Sequence, residues 1–295
     1  MNEQQILNFI EKKSQLPKLI VIYWPTASWK TALSLKVAEL IDSEIISADS
    51  RQIYKQLNIW TWKITKEEMN SIIHYMIDII DIDKDYSVWE YKQETEKIIE
   101  DISKKWKIPV ICWWTWLYID SIIYNFKLPE VEADWEFREK MEKLRLEKWN
   151  EYLWEMLNKV DSDYATSLSP NNYRYVMRWL EVFEKTWKSK LELKQKNEVK
   201  YDILFMTPYN WDRQALYNKI NSRINEMFKD GLLDEVKDIL KNYPKDSFWL
   251  NTIWYKEVID YLDWNISPEE CKNLVKQHNR NYAKRQLTWF KKYEN

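Results

Sequence analysis

Glycine is almost absent from this sequence, which has 1 glycine, Gly231, in 295 residues. Average glycine usage of about 7% would give a chain of this length roughly 20 glycines. The sequence instead has 19 tryptophans, so the two residue types together reach the number expected for glycine alone. If the chain is truly so poor in glycine, it cannot contain the glycine-rich loops that let a backbone turn left-handed or approach a ligand closely.

Cysteine, net charge and long apolar runs are also scarce. Cys112 and Cys271 are far apart and lack the partners of a zinc site, which predicts two reduced cysteines. The net charge of −2 gives no global attraction to nucleic acid, so such a partner would need a local basic patch. No apolar run approaches the length of a membrane span, and the start, MNEQQILNFIEKKSQ, has no signal-peptide pattern. We therefore expect a soluble, cytoplasmic globular protein with no membrane partner.

Residues 19–35, LIVIYWPTASWKTALSL, have the pattern of a phosphate-binding loop between a strand and a helix. β-branched residues lead into a short loop that ends in Lys30 and Thr31, and a helical pattern follows. Trp24 and Trp29 occupy the two positions where G-x-x-x-x-G-K-[ST] requires glycine. A simple helix start is the alternative reading of Lys-Thr, but the rest of the motif favours a phosphate-binding loop.

Other tryptophans also stand where the backbone is expected to turn. Trp106 and Trp187 end helical runs, in the place of a left-handed residue, and Trp264 lies in a turn before a Ser-Pro helix start. A tight turn into a helix is also expected after the strand IPVIC, at Trp113, Trp114 and Trp116. A left-handed backbone costs an L-residue about 1–2 kcal/mol, so many such sites would rival a total stability of roughly 5–15 kcal/mol.

We therefore hypothesise that most of these tryptophans are glycine in the living cell. Some bacterial lineages read the codon UGA as glycine and others read it as tryptophan, so translation with the wrong table would produce this pattern. Trp289, in RQLTWFKK, is an exception, because an aromatic residue suits an amphipathic helix.

With glycine at 24 and 29, the loop reads GPTASGKT and predicts a diphosphate site. Backbone N–H groups would hold the diphosphate, Lys30 would neutralise its charge, and the Thr31 hydroxyl would bind Mg²⁺. The predicted diphosphate-binding residues are Trp24, Pro25, Thr26, Ala27, Ser28, Trp29, Lys30 and Thr31. As printed, two indoles fill that space, and the loop is not expected to bind phosphate. The motif indicates a bound polyphosphate group and does not name a reaction.

Polar residues also follow the next two predicted strands of the sheet. The second strand, in SEIISADSRQ, ends in Asp49, Ser50, Arg51 and Gln52, and Thr115 follows the strand KIPVIC. Because the carboxyl ends of parallel strands line the ligand crevice, we expect these side chains to lie at one edge. There Asp49 is either a general base or a solvent-facing turn residue.

Strands that alternate with helices predict an α/β fold with a P-loop NTPase-like parallel sheet. Strands are expected near 18–23, 44–48, 76–80, 108–112 and 202–207. Residues 1–119 would form the first part of the core, 120–198 an inserted helical subdomain, and 199–295 the last core strand and a helical C-terminal region.

Seven stretches carry a family resemblance: WPTASWKT, EIISADSRQIYKQLNIWT, IPVICWWTWLYIDSI, LSPNNYRYVMRWLEVFEKTWK, RINEMFKDGLLDEV, IWYKEVIDYL and NYAKRQLTWF. In this order, and with tryptophan read as glycine, they resemble the tRNA dimethylallyltransferases, also called tRNA isopentenyltransferases. The resemblance spans nearly the whole chain. The family motifs have tryptophan at 289 and glycine at 24, 29, 60, 113, 114, 116 and 254, which supports the glycine hypothesis independently.

The resemblance implies transfer of a dimethylallyl group from its diphosphate to N6 of the adenine 3′ of the anticodon, position 37 of tRNA. An adenine amino group is a poor nucleophile, so a positioned carboxylate is needed as base, and Asp49 is the candidate. Lys30, Thr31 with Mg²⁺, the loop N–H groups and Arg223 would stabilise the departing diphosphate. Arg223 aligns with a family arginine that contacts the phosphates.

The resemblance also implies contacts with RNA. The target base must leave its stack, and it would meet Asp49, Ser50, Arg51, Gln52 and Thr115. The inserted subdomain would contact tRNA through Arg138, Asn172, Tyr173, Arg174, Tyr175 and Val176. Many relatives have arginine at the position of Tyr175, so one cation is missing from this face. The basic stretch KNLVKQHNRNYAKRQLTWFKK is either a solvated helix face or a contact to the phosphate backbone. The expected partners are the anticodon arm of tRNA and dimethylallyl diphosphate, with the protein as a monomer.

The sequence alone is also compatible with two other functions. A P-loop kinase that acts on a nucleotide or small metabolite is one, because the loop suits ATP equally well. The other is a catalytically dead RNA-binding relative, if the tryptophans are genuine.

The codon hypothesis predicts UGA rather than UGG at Trp24, Trp29, Trp113, Trp114 and Trp116 in the gene. It also predicts a native protein lighter than the printed chain, because glycine is much lighter than tryptophan. Gene sequencing and an intact mass of the protein from its own source test both statements. UGG codons, or a mass that requires 19 tryptophans, would show that the tryptophans are genuine.

Overall fold

The five strands found in the described part of the chain form one sheet in which all neighbouring strands are parallel. The computed structural model describes residues 3–25, 30–113, 115–126, 131, 134–193, 198–207, 212–245, 250 and 255–293. The strands are β1 (Lys18–Tyr23), β2 (Ile45–Ser47), β3 (His74–Tyr75), β4 (Val110–Trp113) and β5 (Asp202–Met206). Their order across the sheet is β3-β2-β4-β1-β5, which confirms the predicted parallel α/β fold.

β1 lies inside the sheet, between β4 and β5. Its residue Ile20 pairs with Val110 on one side and with Leu204 on the other. Residues 19–23 are all buried, as expected for the continuous apolar run of a parallel strand covered on both faces.

The third strand is displaced from the predicted range 76–80. It comprises only His74 and Tyr75, and the predicted range contributes one isolated bridge, between Ile80 and Tyr54. Met76 and Asp78 have φ values of 62° and 56°, which an extended strand cannot contain. The prediction of a strand at 76–80 was therefore wrong.

Helices surround the sheet and form most of the second half of the chain. The α-helices are α1 (Glu3–Glu11), α2 (Lys30–Leu40), α3 (Val88–Lys104), α4 (Trp116–Ile123), α5 (Trp135–Val160), α6 (Ser162–Thr166), α7 (Tyr173–Thr186), α8 (Lys190–Leu193), α9 (Arg213–Lys229), α10 (Leu232–Asn242), α11 (Tyr255–Leu262) and α12 (Pro268–Phe290). Two 3₁₀ helices span Pro170–Asn172 and Lys291–Tyr293. Several helix starts are set by local sequence; at α3, for example, Ser87 and Glu90 form a reciprocal capping box. No described helix combines the length and the apolar character that crossing a membrane requires.

The chain divides into two compact units. The sheet unit comprises Met1–Tyr124 and Val199–Asn295, and the inserted unit comprises Asn125–Glu198. α4, which spans the predicted boundary at 119/120, lies in the sheet unit. The inserted unit has its own apolar core, which includes Leu153, Leu157 and Val176.

The buried carboxylate of Asp120 in α4 holds the C-terminal segment. It accepts hydrogen bonds from the indole Nε1 of Trp289 at 3.2 Å, from Lys292 Nζ and from the Tyr293 hydroxyl. The indole of Trp289 also packs on Trp116, with ring centroids 3.8 Å apart. A buried carboxylate needs such partners, so the side chain of Trp289 has a specific role in the fold.

Five of the tryptophans within the described ranges have a left-handed backbone. Their φ values are 50° at Trp62, 62° at Trp106, 69° at Trp149, 54° at Trp187 and 63° at Trp264. The left-handed conformation predicted at Trp106 and Trp187 is thereby confirmed, and Trp264, predicted to lie in a turn, adopts it as well. Trp106 is 97% and Trp264 91% exposed, so these indoles gain little contact to offset the strain.

Replacement of Trp106 or Trp264 by glycine is expected to raise the free energy of unfolding by about 1 kcal/mol each, because glycine adopts positive φ without steric penalty. Urea unfolding midpoints would measure the change. Trp289→Gly is the control in the same unit. It should lower stability, because glycine in a helix costs about 1 kcal/mol and Asp120 would lose a donor. A loss of stability in Trp106→Gly and Trp264→Gly would contradict the argument from strain.

Candidate active site

The predicted diphosphate loop joins β1 to α2 in the sheet unit, as a strand–loop–helix turn. Trp24, Pro25, Lys30 and Thr31 are described by the structure. The remaining predicted loop residues, Thr26, Ala27, Ser28 and Trp29, lie outside the described residues.

Lys30 is buried at the first turn of α2. Its Nζ donates hydrogen bonds to the carbonyl oxygens of Trp24 at 2.7 Å and Pro25 at 2.6 Å. Burial lowers the pKa of Lys30 to about 7; Arg223 also lowers it, whereas Cys112 and Asp49 act in the opposite direction. The loop carbonyls thus hold an ammonium group for which an incoming anion would be a stronger partner.

Asp49 is buried where β2 leads into a turn. Its Oδ1 accepts the backbone N–H groups of Arg51 at 2.7 Å and Gln52 at 3.4 Å. The Thr115 hydroxyl, after β4, accepts the Ser50 N–H at 2.9 Å and donates to the Ser50 hydroxyl at 3.3 Å. The structure therefore brings Thr115 to the 49–52 turn, at the carboxyl edge of the sheet.

Arg223 reaches the same region from α9. Its Nη2 donates to the carbonyl oxygen of Thr61 at 3.4 Å, and its guanidinium lies over the ring of Trp62. Burial lowers the pKa of Arg223 to about 10, and the charges of Asp49 and Glu226 oppose this shift. The charge of Asp49 opposes the pKa shifts of both Arg223 and Lys30, so the carboxylate acts on both cations.

The described side chains of this site suit a Mg²⁺ ion that is bound mainly by substrate phosphates and water. Among the described residues, no group of three or more His, Cys, Asp or Glu side chains could hold a metal ion. Mg²⁺ usually binds through one or two protein oxygens, substrate phosphates and water. The Thr31 hydroxyl beside a diphosphate fits that mode, so Mg²⁺ stays a proposal that depends on the substrate.

Tyr282 of α12 is a member of this region that sequence reasoning did not single out. Burial raises its pKa to about 12, the charge of Asp49 raises it further, and Arg51 opposes the shift. Tyr282 and Gln286 lie four residues apart and therefore on one helix face, toward the Asp49 turn. The four-residue spacing of Tyr282 and Gln286 in NYAKRQ is the sequence feature that could have indicated this helix face.

Gln52, which is also predicted to contact the base, is buried, and both the oxygen and the nitrogen of its side-chain amide make hydrogen bonds. Its Oε1 accepts from the Ser47 hydroxyl at 3.3 Å, and its Nε2 donates to the carbonyl oxygens of Thr61 at 3.3 Å and Trp62 at 3.4 Å. In this structure the amide therefore orders the 61–62 backbone.

In the inserted unit, the guanidinium of Arg138 is engaged by a buried carboxylate. Nε and Nη2 of Arg138 each donate to Glu181 at 3.0 Å, and Arg178 donates to the same carboxylate at 2.6 Å. Burial opposes ionisation of Glu181, but the hydrogen bonds from Arg138, the Asp134 N–H and Arg178 prevail and lower its pKa. Arg138 keeps about a third of its side chain exposed, so it can still present a cation.

The predicted RNA segment of the inserted unit covers the end of a 3₁₀ helix and the start of α7. Asn172 closes the 3₁₀ helix, and the ring of Tyr173 lies under the guanidinium groups of Arg145 and Arg174. Tyr175 is exposed, whereas Val176 is buried in the core of this unit. The Val176 side chain is therefore not available for the predicted RNA contact, which stays a prediction for the exposed Tyr175.

The basic stretch near the C-terminus forms one side of α12. Lys272, Lys276, Arg280 and Lys284 recur every four residues and therefore follow one helix face. Lys292 does not belong to this face, because its ammonium pairs with buried Asp120.

A parallel sheet with a β1–loop–Lys-Thr–α2 turn, and with a buried lysine and a buried carboxylate at its carboxyl edge, defines an α/β protein of the P-loop class. The family model described as "IPP transferase" matches residues 52–293. This chain therefore belongs to the IPP transferase family.

Sequence relatives and solved structures agree with this assignment. A tRNA dimethylallyltransferase of Thermoanaerobacter sp. (strain X514) is 44% identical over 283 residues, covering 94% of this chain and 90% of the relative. The crystal structure of a tRNA isopentenylpyrophosphate transferase from Staphylococcus epidermidis matches with a TM-score of 0.67 at 40% identity, covering 93% and 90% of the two chains. A eukaryotic dimethylallyltransferase acting on tRNA matches with a TM-score of 0.79 at 29% identity, covering 93% of this chain and 70% of that one.

The lowered pKa of Lys30 predicts that stability rises with pH. The unfolded lysine keeps its proton up to its usual pKa of 10.5, whereas the folded one loses it near 7. Between these two pKa values the unfolded state binds more protons than the folded state. Below pH 7 the folded protein bears the penalty of burying the Lys30 charge, and this penalty is removed as the pH rises. Relative to Lys30→Met, the unfolding free energy should increase by roughly 2–3 kcal/mol from pH 7 to 9.

Urea unfolding of both proteins across this pH range measures the difference, and the comparison cancels groups that the two share. Parallel pH profiles would mean that Lys30 stays charged in the folded protein.

Proposed function

We propose that this protein transfers a dimethylallyl group from dimethylallyl diphosphate to N6 of adenine 37 of tRNA. The observation that supports it most is that Lys30, after β1, and Asp49, after β2, are both buried, while the charge of Asp49 opposes the pKa shifts of Lys30 and Arg223. Two cations suit a diphosphate, and one carboxylate suits an amine that must lose a proton. The relatives are named for dimethylallyl transfer to tRNA.

In the proposed reaction, the N6 nitrogen attacks the allylic carbon while the carbon–oxygen bond to the diphosphate breaks. The diphosphate leaves with the bonding electron pair, and the N6 proton passes to the Asp49 carboxylate as the new bond forms. Lys30, Arg223 and the loop N–H groups would stabilise the charge of the leaving group. When bound at Thr31, Mg²⁺ would neutralise part of the same charge.

The RNA would be held by separate groups on each unit. In the sheet unit, Ser50, Arg51, Gln52 and Thr115 would meet the extruded base, and the basic face of α12 would meet backbone phosphates. In the inserted unit, Arg138 and the exposed residues of 172–175 would contact RNA.

The same proposal includes a monomer that acts in the cytoplasm, since every residue it uses lies in one chain. Both cysteines are buried free thiols, which suits a reducing compartment.

The test compares the printed chain with a chain that has glycine at 24, 29, 60, 113, 114, 116 and 254. Each is assayed with labelled dimethylallyl diphosphate and an anticodon stem-loop that carries adenine or guanine at position 37. We expect transfer by the glycine-containing chain to the adenine substrate only, because bare amides are needed around the diphosphate. Transfer by the printed chain would contradict the role assigned to glycine at 24 and 29.

Asp49→Asn in the active chain is expected to lower the transfer rate about 10²–10⁴-fold, the usual contribution of a general base. Asp42→Asn is the matched control, because Asp42 is exposed and pairs only with Lys107 among the ion pairs described. Turnover of ATP with nucleosides and none with dimethylallyl diphosphate would instead indicate a kinase. RNA binding without transfer would indicate a catalytically dead relative.

A further inference from the structure

A carboxylate from α10 holds the loop that follows the Asp49 turn. Glu235 accepts three consecutive backbone N–H groups: those of Asn58 at 2.9 Å and Ile59 at 2.7 Å on Oε2, and that of Trp60 at 3.1 Å on Oε1. Consecutive N–H groups that converge in a turn form an anion-binding concavity. Here the anion is a side chain of the protein itself.

The start of α10 is shaped for this contact. Gly231 precedes the helix with a φ of 102°, which favours glycine, and its carbonyl oxygen accepts the Glu235 N–H at 2.9 Å. A Cβ at Gly231 would lie 3.7 Å from Cδ1 of Ile59, so the loop packs directly against this turn. The first turn of α10 therefore sets the position of the Glu235 carboxylate against residues 58–60.

The loop that Glu235 holds is itself compact. The Thr61 hydroxyl donates to the carbonyl oxygen of Leu57 at 2.6 Å, and the Lys63 N–H donates to that of Asn58 at 3.0 Å. These bonds transmit the position of residues 58–60 to the carbonyl oxygen of Thr61.

The carbonyl oxygen of Thr61 is the point where the loop meets the candidate active site. It accepts from Gln52 Nε2 at 3.3 Å and from Arg223 Nη2 at 3.4 Å. One side chain is a candidate base contact and the other a candidate phosphate contact. Displacement of the loop would therefore move both.

We propose that Glu235 is a positioning residue of the diphosphate site, which acts through the 58–61 loop on Arg223. The proposal rests on the proposed function for its substrate class. In this proposal Glu235 makes no contact with the substrate. It orders the backbone of the 58–61 loop, and that backbone orders Arg223.

A double-mutant cycle tests this coupling without any transfer assay. Binding of inorganic pyrophosphate with Mg²⁺ is measured by calorimetry in the glycine-containing full chain, in Glu235→Gln, in Arg223→Gln and in the double variant. Glu235→Gln should weaken binding about tenfold, since a poorly placed cation loses most of its contribution. In the Arg223→Gln background the same change should have little effect, because the group through which it acts is gone.

Asp234→Asn is the matched control. It makes the same acid-to-amide change one residue away, at an exposed side chain that pairs with Lys237. Additive effects of Glu235→Gln and Arg223→Gln would overturn the proposal, and so would an equal loss in Asp234→Asn. A parent chain that does not bind pyrophosphate would overturn it as well, since there would be no site to position.

Hydrogen exchange provides a second measurement that needs no variant. The amides of 58–60 should be protected in the unmodified chain although their acceptor is a side chain. Exchange at the rate of free amides would contradict the clamp. A chain that binds pyrophosphate with the expected coupling but transfers no dimethylallyl group would refute the proposed function alone.

Discussion

Burial of charge at the carboxyl edge of the sheet is the constraint on which this site depends. Lys30 and Asp49 are buried and Arg223 is partly buried, and a lone ionised group away from water is very unfavourable. Burial lowers the pKa of both cations, and the carboxylate opposes that shift. The carbonyl oxygens of Trp24 and Pro25 hold Lys30, the 49–52 turn holds Asp49, and the 57–63 loop holds Arg223. An anion that entered this region would relieve a desolvation penalty already present in the fold, so the proposed affinity for a diphosphate would have the same origin as the lowered pKa of the two cations.

Four of the five strands could be predicted from runs of β-branched residues, because a parallel strand buried on both faces is apolar throughout. The third strand could not, since left-handed residues at Met76 and Asp78 interrupt a stretch whose letters suit a strand. The rule that strand ends share an edge was sufficient to group Asp49 with Thr115. Arg223 came only from the family resemblance, because a helix arginine carries no local signal. The role of Glu235 could not be predicted from the sequence. Its partners are backbone amides about 175 residues earlier in the chain, and a sequence does not show which backbone N–H groups act as donors.

Two physical groups can be distinguished among the tryptophans that the structure describes. Trp289 and Trp154 use their indole N–H groups, on Asp120 and on the carbonyl oxygens of Ala165 and Leu168, and their side chains therefore contribute to the fold. Trp149 instead interrupts α5 with φ 69° and ψ 173°, a region essentially restricted to glycine. Sequence reasoning singled out neither Trp149 nor Trp62. The backbone angles thus extend the set of glycine-like positions beyond the motifs that suggested it.

The sheet unit is assembled from two stretches of chain, and this sets an order on its synthesis. β1 is made early, but the strand that covers one of its edges, β5, emerges only after the whole inserted unit. On the ribosome, β1 therefore waits with an unpaired row of backbone groups while the inserted unit, continuous in sequence, is free to fold. Nascent chains of this protein should be vulnerable to aggregation during that interval, because one edge of β1 stays unpaired until β5 has been made.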